Sequence, residues 1–154
     1  MARYLLDTGI LVGYLRAAPF AAYIQKYLSP FDPPNIPAIS IVTVGELLSF
    51  AYSHNWGKAR QDELQCLLRK VPRVDINNAS IFESYAEIDA FSQGKHPTRP
   101  LSAGLSSRNM GKNDLWIAAT ASVVNAKLIT TDKDFQHLDS EFLTVIYVDP
   151  ASHA

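Results

Sequence analysis

Five short apolar runs, each separated from the next by a helical pattern, constrain this chain more than any other feature. The runs are Arg3–Leu6, Ala38–Val42, Arg73–Ile76, Lys127–Thr131 and Thr144–Val148. Between them, Phe20, Ile24, Tyr27 and Leu28 share a face at helical spacing, as do Leu64, Leu67, Leu68 and Val71, and Ile81, Tyr85 and Ile88. Leu115, Ala118, Ala119 and Ser122 form a small-residue face suited to close packing. Strands alternating with helices predict an α/β fold: three layers, α/β/α, around a central, mostly parallel five-stranded sheet. A nearly unbroken apolar run such as Ala38–Val42 fits a strand buried on both faces. The length of 154 residues suits a single domain spanning residues 1–154.

Composition excludes several classes. With 47% hydrophobic and 19% charged residues the chain has a globular balance, and no run approaches the ~18 apolar residues of a membrane span. A net charge of −1 leaves no molecule-wide field for a polyanion, so any such binding needs a local patch. Cys66 is the only cysteine, which rules out an internal disulfide and a Cys-rich zinc site and fits a reducing, cytoplasmic setting.

In open α/β sheets, ligands bind beyond the carboxyl ends of the strands. Asp7-Thr8 follows the first run, Thr43-Val44-Gly45-Glu46 the second, and Asp132 and Asp134 the fourth, while Asn113-Asp114 opens the helical pattern before it. Each has a local explanation. Asp7 could begin a turn, Thr43 and Glu46 match a capping box, Asn113-Asp114 suits a helix N-terminus, and Asp132-Lys133-Asp134 suits a polar turn. Their shared end of the sheet adds something that local roles do not. Gathered carboxylates repel and raise one another's pKa unless a cation relieves them. Oxygen ligands without His or Cys suit Mg²⁺ or Mn²⁺, ions that activate water and stabilise a leaving oxygen in phosphodiester hydrolysis. His54, His96, His137 and His153 show no ligand spacing and read as surface or satisfied residues.

Four stretches, LLDTGILVGYL, SIVTVGELLS, GKNDLWIAATA and LITTDKDFQHL, occur in an order and spacing that resembles the PIN domain family, and most closely the VapC-type toxin ribonucleases of type II toxin–antitoxin pairs. The resemblance implies a metal-dependent endoribonuclease with Asp7, Glu46, Asp114 and Asp132 as its catalytic, metal-holding acids. Thr8, Thr130, Asp134 and Asn113 would stand behind them. Gly9 occupies a position where Ser or Asn is more usual. The resemblance also implies a homodimer and an antitoxin partner.

The segment Gln93–Asn113 is rich in Gly, Pro and Ser and carries Lys95, Arg99, Arg108 and Lys112 with no acid, so these four residues are candidates for gripping an RNA backbone. Two other functions compete. A PIN nuclease of RNA processing or of structured DNA would have no antitoxin. A non-catalytic phosphate- or metal-binding α/β domain would place paired acids after the first strand and a lysine after the last, where this chain has Asp149-Pro150.

Overall fold

The computed structural model describes residues 1–154. β1 (Arg3–Leu6) leads into α1 (Thr8–Leu15) and α2 (Pro19–Tyr27); β2 (Ile36–Ser40) leads into α3 (Ile41–Ser53) and α4 (Lys58–Lys70). β3 (Arg73–Val74), α5 (Ala79–Ser92) and α6 (Lys112–Val124) follow, then β4 (Lys127–Thr130), a 3-10 turn (Lys133–Leu138), β5 (Val145–Tyr147) and a closing 3-10 turn (Pro150–His153). The strands form one sheet in the order β3-β2-β1-β4-β5, every pairing parallel. No helix is long and apolar enough to cross a membrane.

The side chains of the central strands alternate between two cores, the period-2 rule applied to a sheet covered on both faces. Leu5, Ala38 and Leu128 point into one core with α5 and α6, whereas Tyr4, Leu6, Ile39 and Ile129 point into the other with α1 to α4. Leu5, Leu6, Ile39, Leu128 and Ile129 are all fully buried. That is the three-layer arrangement expected from the runs.

The boundaries moved in one place that matters. The second run reads as Ala38–Val42, but the strand ends at Ser40, because the Ser40 hydroxyl accepts the Val42 amide (3.3 Å) and caps α3. Thr43 is therefore not a cap. It lies inside the first turn, fully buried, and Glu46 follows on the same helix. The capping-box explanation of Thr43 and Glu46 fails for that reason. Asp7 does act as a cap: its Oδ1 accepts the Thr8 amide at 2.8 Å. Close approach explains one glycine, since a Cβ at Gly13 would stand 2.2 Å from the Phe20 ring where α1 meets α2.

Candidate active site

The chain switches direction at β1, whose two neighbours, β2 and β4, lie on opposite sides of it. Such a switch point opens a crevice at the strand carboxyl ends. Asp7 sits at the end of β1, and Asp132 just beyond the neighbouring β4, whose Ile129 pairs with Leu6. Asp114 enters from the first turn of α6, and Glu46 from α3. All four predicted acids thus reach one end of the sheet.

They are held in two ways. Asp7 is only 8% exposed and accepts two hydrogen bonds, from the Thr8 amide and from the Thr130 hydroxyl (2.6 Å). Thr130 Oγ1 also accepts the Asp132 amide at 3.0 Å, so one hydroxyl ties the ends of β1 and β4 together. The Thr8 hydroxyl donates to Glu46 at 2.6 Å and lies 3.1 Å from the Thr43 hydroxyl, joining α1 to α3. Thr8 and Thr130 each bond one of the acids directly, and Thr43 stands behind Thr8. Beside Gly9, Thr131 Oγ1 lies 3.2 Å from where a Cβ would stand, so a side chain there would crowd this rim.

The other side is open. Carboxylate oxygens of Asp114, Asp132 and Asp134 lie within 4.8 Å of one another. Asp134, expected behind the quartet, stands in this trio because Asp132 caps the 3-10 turn by accepting the Asp134 amide (2.9 Å). Burial, then the charges of Asp7, Asp132, Glu46 and Asp134, push the Asp114 carboxyl from 3.8 up to about 7. Burial also raises Asp7, against the lowering effect of Thr130 and Thr8. No lysine or arginine pairs with Asp7, Glu46, Asp114 or Asp132; the nearest cation is Arg108, 3.9 Å from Asp134. An oxygen-only donor set with unrelieved repulsion fits a hard divalent cation. Asn113 is exposed, bonds none of the acids, and lines a cleft of about 400 Å³ with Glu46 between α3 and α6.

The basic segment divides. Lys95 and Lys112 are exposed. Arg99 is occupied: it bonds the Glu141 carbonyl, pairs with the Glu141 carboxylate (3.4 Å) and lies 3.9 Å over the Phe142 ring. Three histidines are surface or satisfied as expected: His54 stacks on Phe50, His153 on Tyr23, and His96 bonds Glu87. His137 differs. It is 7% exposed, its Nε2 lies 2.7 Å from the Ser92 hydroxyl, and its Nδ1 has no partner. Burial, with Arg108 nearby, pushes it down to about 4, so it is neutral at physiological pH. Its one sequence signal is its place three residues after Asp134, one turn of a 3-10 helix.

Similarity to known proteins agrees with this geometry. The PIN domain family matches residues 4–141. Ribonuclease VapC1 of Haemophilus influenzae (strain R2866) is 30% identical over 139 residues, covering 88% of this chain and 91% of that protein. Among solved structures, VapBC2 from Rickettsia felis, bound to a DNA fragment from its promoter, aligns with a TM-score of 0.74 at 26% identity, covering 96% of this chain and 99% of that one. VapBC-1 from nontypeable Haemophilus influenzae aligns at 0.65 and 27%, covering 94% and 97%. With acids from four elements at the switch point of a parallel sheet, and similarity running nearly end to end, this chain belongs to the PIN domain family.

Proposed function

We propose that this protein is a metal-dependent endoribonuclease that acts as the toxin of a type II toxin–antitoxin pair. The ribonuclease name of a relative covering most of the chain supports the reaction class, and the VapBC structures support the antitoxin. A second copy of the chain is the other proposed partner, with exposed Tyr23 and Tyr27 on α2 as the apolar surface for it. The observation that carries the reading is the gathering of Asp114, Asp132 and Asp134 within 4.8 Å, with Arg108 reaching Asp134 alone and no basic side chain paired to Asp114 or Asp132.

Asp114, Asp132 and Asp134 would hold the ion, with Asp7 and Glu46 on the adjoining wall. When bound, Mg²⁺ or Mn²⁺ supplies Lewis-acid charge to the phosphodiester and activates water. Asp114 would hold such an ion as a carboxylate, so a proton there would have to leave first. Thr130 fixes the Asp7 carboxylate while bonding the Asp132 amide, so two acids on neighbouring strands hold their places before substrate arrives. Thr8 does the same for Glu46. Histidine takes no part in moving the proton, since the one near the acids is buried, neutral and bonded to Ser92.

The deciding experiment incubates total RNA with wild type and Asp7→Asn in Mg²⁺, Mn²⁺ or EDTA and maps the cut ends. The proposal expects internal cuts with either metal and none with EDTA or the variant. Cutting that survives both EDTA and Asp7→Asn overturns it.

A further inference from the structure

We propose that a cavity beside the acid cluster takes the base of an RNA nucleotide flanking the cleaved bond, which makes it a sequence-reading subsite. This rests on the ribonuclease reading. The cavity, about 350 Å³, lies between the 3-10 turn Lys133–Leu138 and the segment joining α5 to α6. That is the size of a small-molecule site. Ser102, Leu105 and Arg108 form one wall, and Lys133, Gln136 and His137 the other.

Position ties the cavity to the reaction. Lys133 and Gln136 share the 3-10 turn with Asp134, and Arg108 in the cavity wall approaches the Asp134 carboxylate at 3.9 Å. A group seated there therefore belongs to a nucleotide next to the acids. The wall is anchored at both ends. The Arg108 amide donates to the Ser92 carbonyl at 2.8 Å, and Arg99 is clamped on Glu141 and Phe142.

Chemistry favours a base over a phosphate. Arg108 and Lys133 are offset by Asp139 and Glu141, which also line the space, so it has no net positive charge for an anion. Glu141 is paired with Arg99, and Asp139 accepts the Val145 amide at 2.8 Å. The rest is a mixed set: the Gln136 amide and Ser102 hydroxyl both donate and accept, and Leu105 supplies an apolar contact. His137, bonded to Ser92 through Nε2, adds the edge of a buried imidazole ring to the wall. Donors and acceptors around an apolar patch match the edge and face of a base splayed out of single-stranded RNA.

The test is end mapping of a random-sequence single-stranded RNA pool cut by wild type, Gln136→Ala and Leu105→Trp, with Mg²⁺ or Mn²⁺. Gln136 is exposed and Leu105 is 39% exposed, so neither change opens the core. Wild type should prefer a particular nucleotide at a fixed position beside the cut. Gln136→Ala should weaken that preference about fivefold, the worth of one hydrogen bond, and Leu105→Trp, which fills the cavity, should erase it. Preferences at other positions should stay. Wild type cutting with no preference beside the bond, or a preference that both variants retain, overturns the subsite. Wild type that cuts nothing overturns the ribonuclease reading itself, a separate and visible result.

Discussion

The two walls of the acid cluster are built on opposite principles. On the Asp7–Glu46 side, the hydroxyls of Thr130 and Thr8 and the Thr8 backbone amide meet the carboxylates at 2.6 to 2.8 Å, with the Thr43 hydroxyl 3.1 Å from that of Thr8. On the Asp114–Asp132–Asp134 side, the acids face one another, and no donor lowers the Asp114 carboxyl. Neutral donors let a carboxylate stay in place without a cation. Where they are missing, the charge is left for an ion to balance. The first wall is thus a scaffold and the second a receptor, although the chain presents both as the same residue type at the end of an apolar run.

The largest effects should come from removing one acid from each wall. Asp7→Asn and Asp114→Asn should each reduce RNA cleavage by more than about 100-fold, beyond the 10–100-fold typical of residues that merely support metal ligands, because Asp7, whose charge raises Asp114 more than any other acid's, borders the ion as well as anchoring the scaffold. Their stabilities should diverge. Asp114→Asn removes a repelled charge and loses no hydrogen bond, so the metal-free protein should melt at a higher temperature than wild type. Asp7→Asn exchanges an acceptor for a donor beside Thr8 and Thr130 and should bring no comparable gain. Equal stability changes in the two variants would erase the distinction between scaffold and receptor.

Thr130→Val sharpens the contrast from the scaffold side. Thr130 is fully buried, so Val keeps the shape and loses only the hydroxyl that joins Asp7 to the Asp132 amide. Metal affinity, read by Mn²⁺ titration, should fall about 10–100-fold. The receptor side has its own signature in pH. The Asp114 carboxyl moves from 3.8 to about 7 on folding, so across that interval the native protein holds a proton the unfolded chain has released. The stability this group contributes is full below 3.8 and is lost as pH rises through 7. His137, lowered from 6.5 to about 4, acts oppositely, its contribution being lost as pH falls below 6.5. Between pH 6.5 and 8 Asp114 acts alone of the two. In EDTA the melting temperature should fall across that window, and Asp114→Asn should flatten the fall. Metal at about 100 times its Kd should raise it at pH 8 by roughly 5–10 °C.

Much of this was legible before any coordinates, for identifiable reasons. Buried parallel strands are short apolar runs, and the acids follow them directly, so Asp7 and Asp132 could be placed from the run boundaries alone. Glu46 and Asp114 could be placed too, although the boundary behind Glu46 was two residues off. The β-branched run Ile41-Val42-Thr43 reads as strand by propensity, while Ser40 has already capped a helix there, and local capping overrides a preference that weak. The division of labour among the acids was not legible. It depends on which hydroxyl meets which carboxylate across up to 123 positions of chain, and no local pattern records that. Arg99 and His137 escaped for the same reason, their partners being Glu141 and Phe142 for one and Ser92 for the other.

Arg99 leads to the smallest predicted effect. Composition groups Lys95, Arg99, Arg108 and Lys112 as one basic segment, but the fold separates them: Arg99 is held by Glu141 and the Phe142 ring, whereas Lys112 is exposed at the start of α6, two residues before Asp114. Only a cation free to meet phosphate releases counterions when RNA binds, at about 0.7 of a unit of logarithmic salt slope per single-strand contact. Lys95→Gln with Lys112→Gln, the two exposed cations, should therefore lower the slope of RNA affinity against salt by about 1.4, measured on the Asp7→Asn background so that RNA is not cut. Arg99→Gln should leave the slope unchanged and reduce stability by about 1 kcal/mol, since it loses a cation–π contact and a half-exposed ion pair. Equal slopes for all three proteins would mean that RNA reaches the receptor wall without help from this segment. A slope that falls with Arg99→Gln would mean that Glu141 releases Arg99 on binding, and the segment would then act as the uniform basic patch its composition suggests.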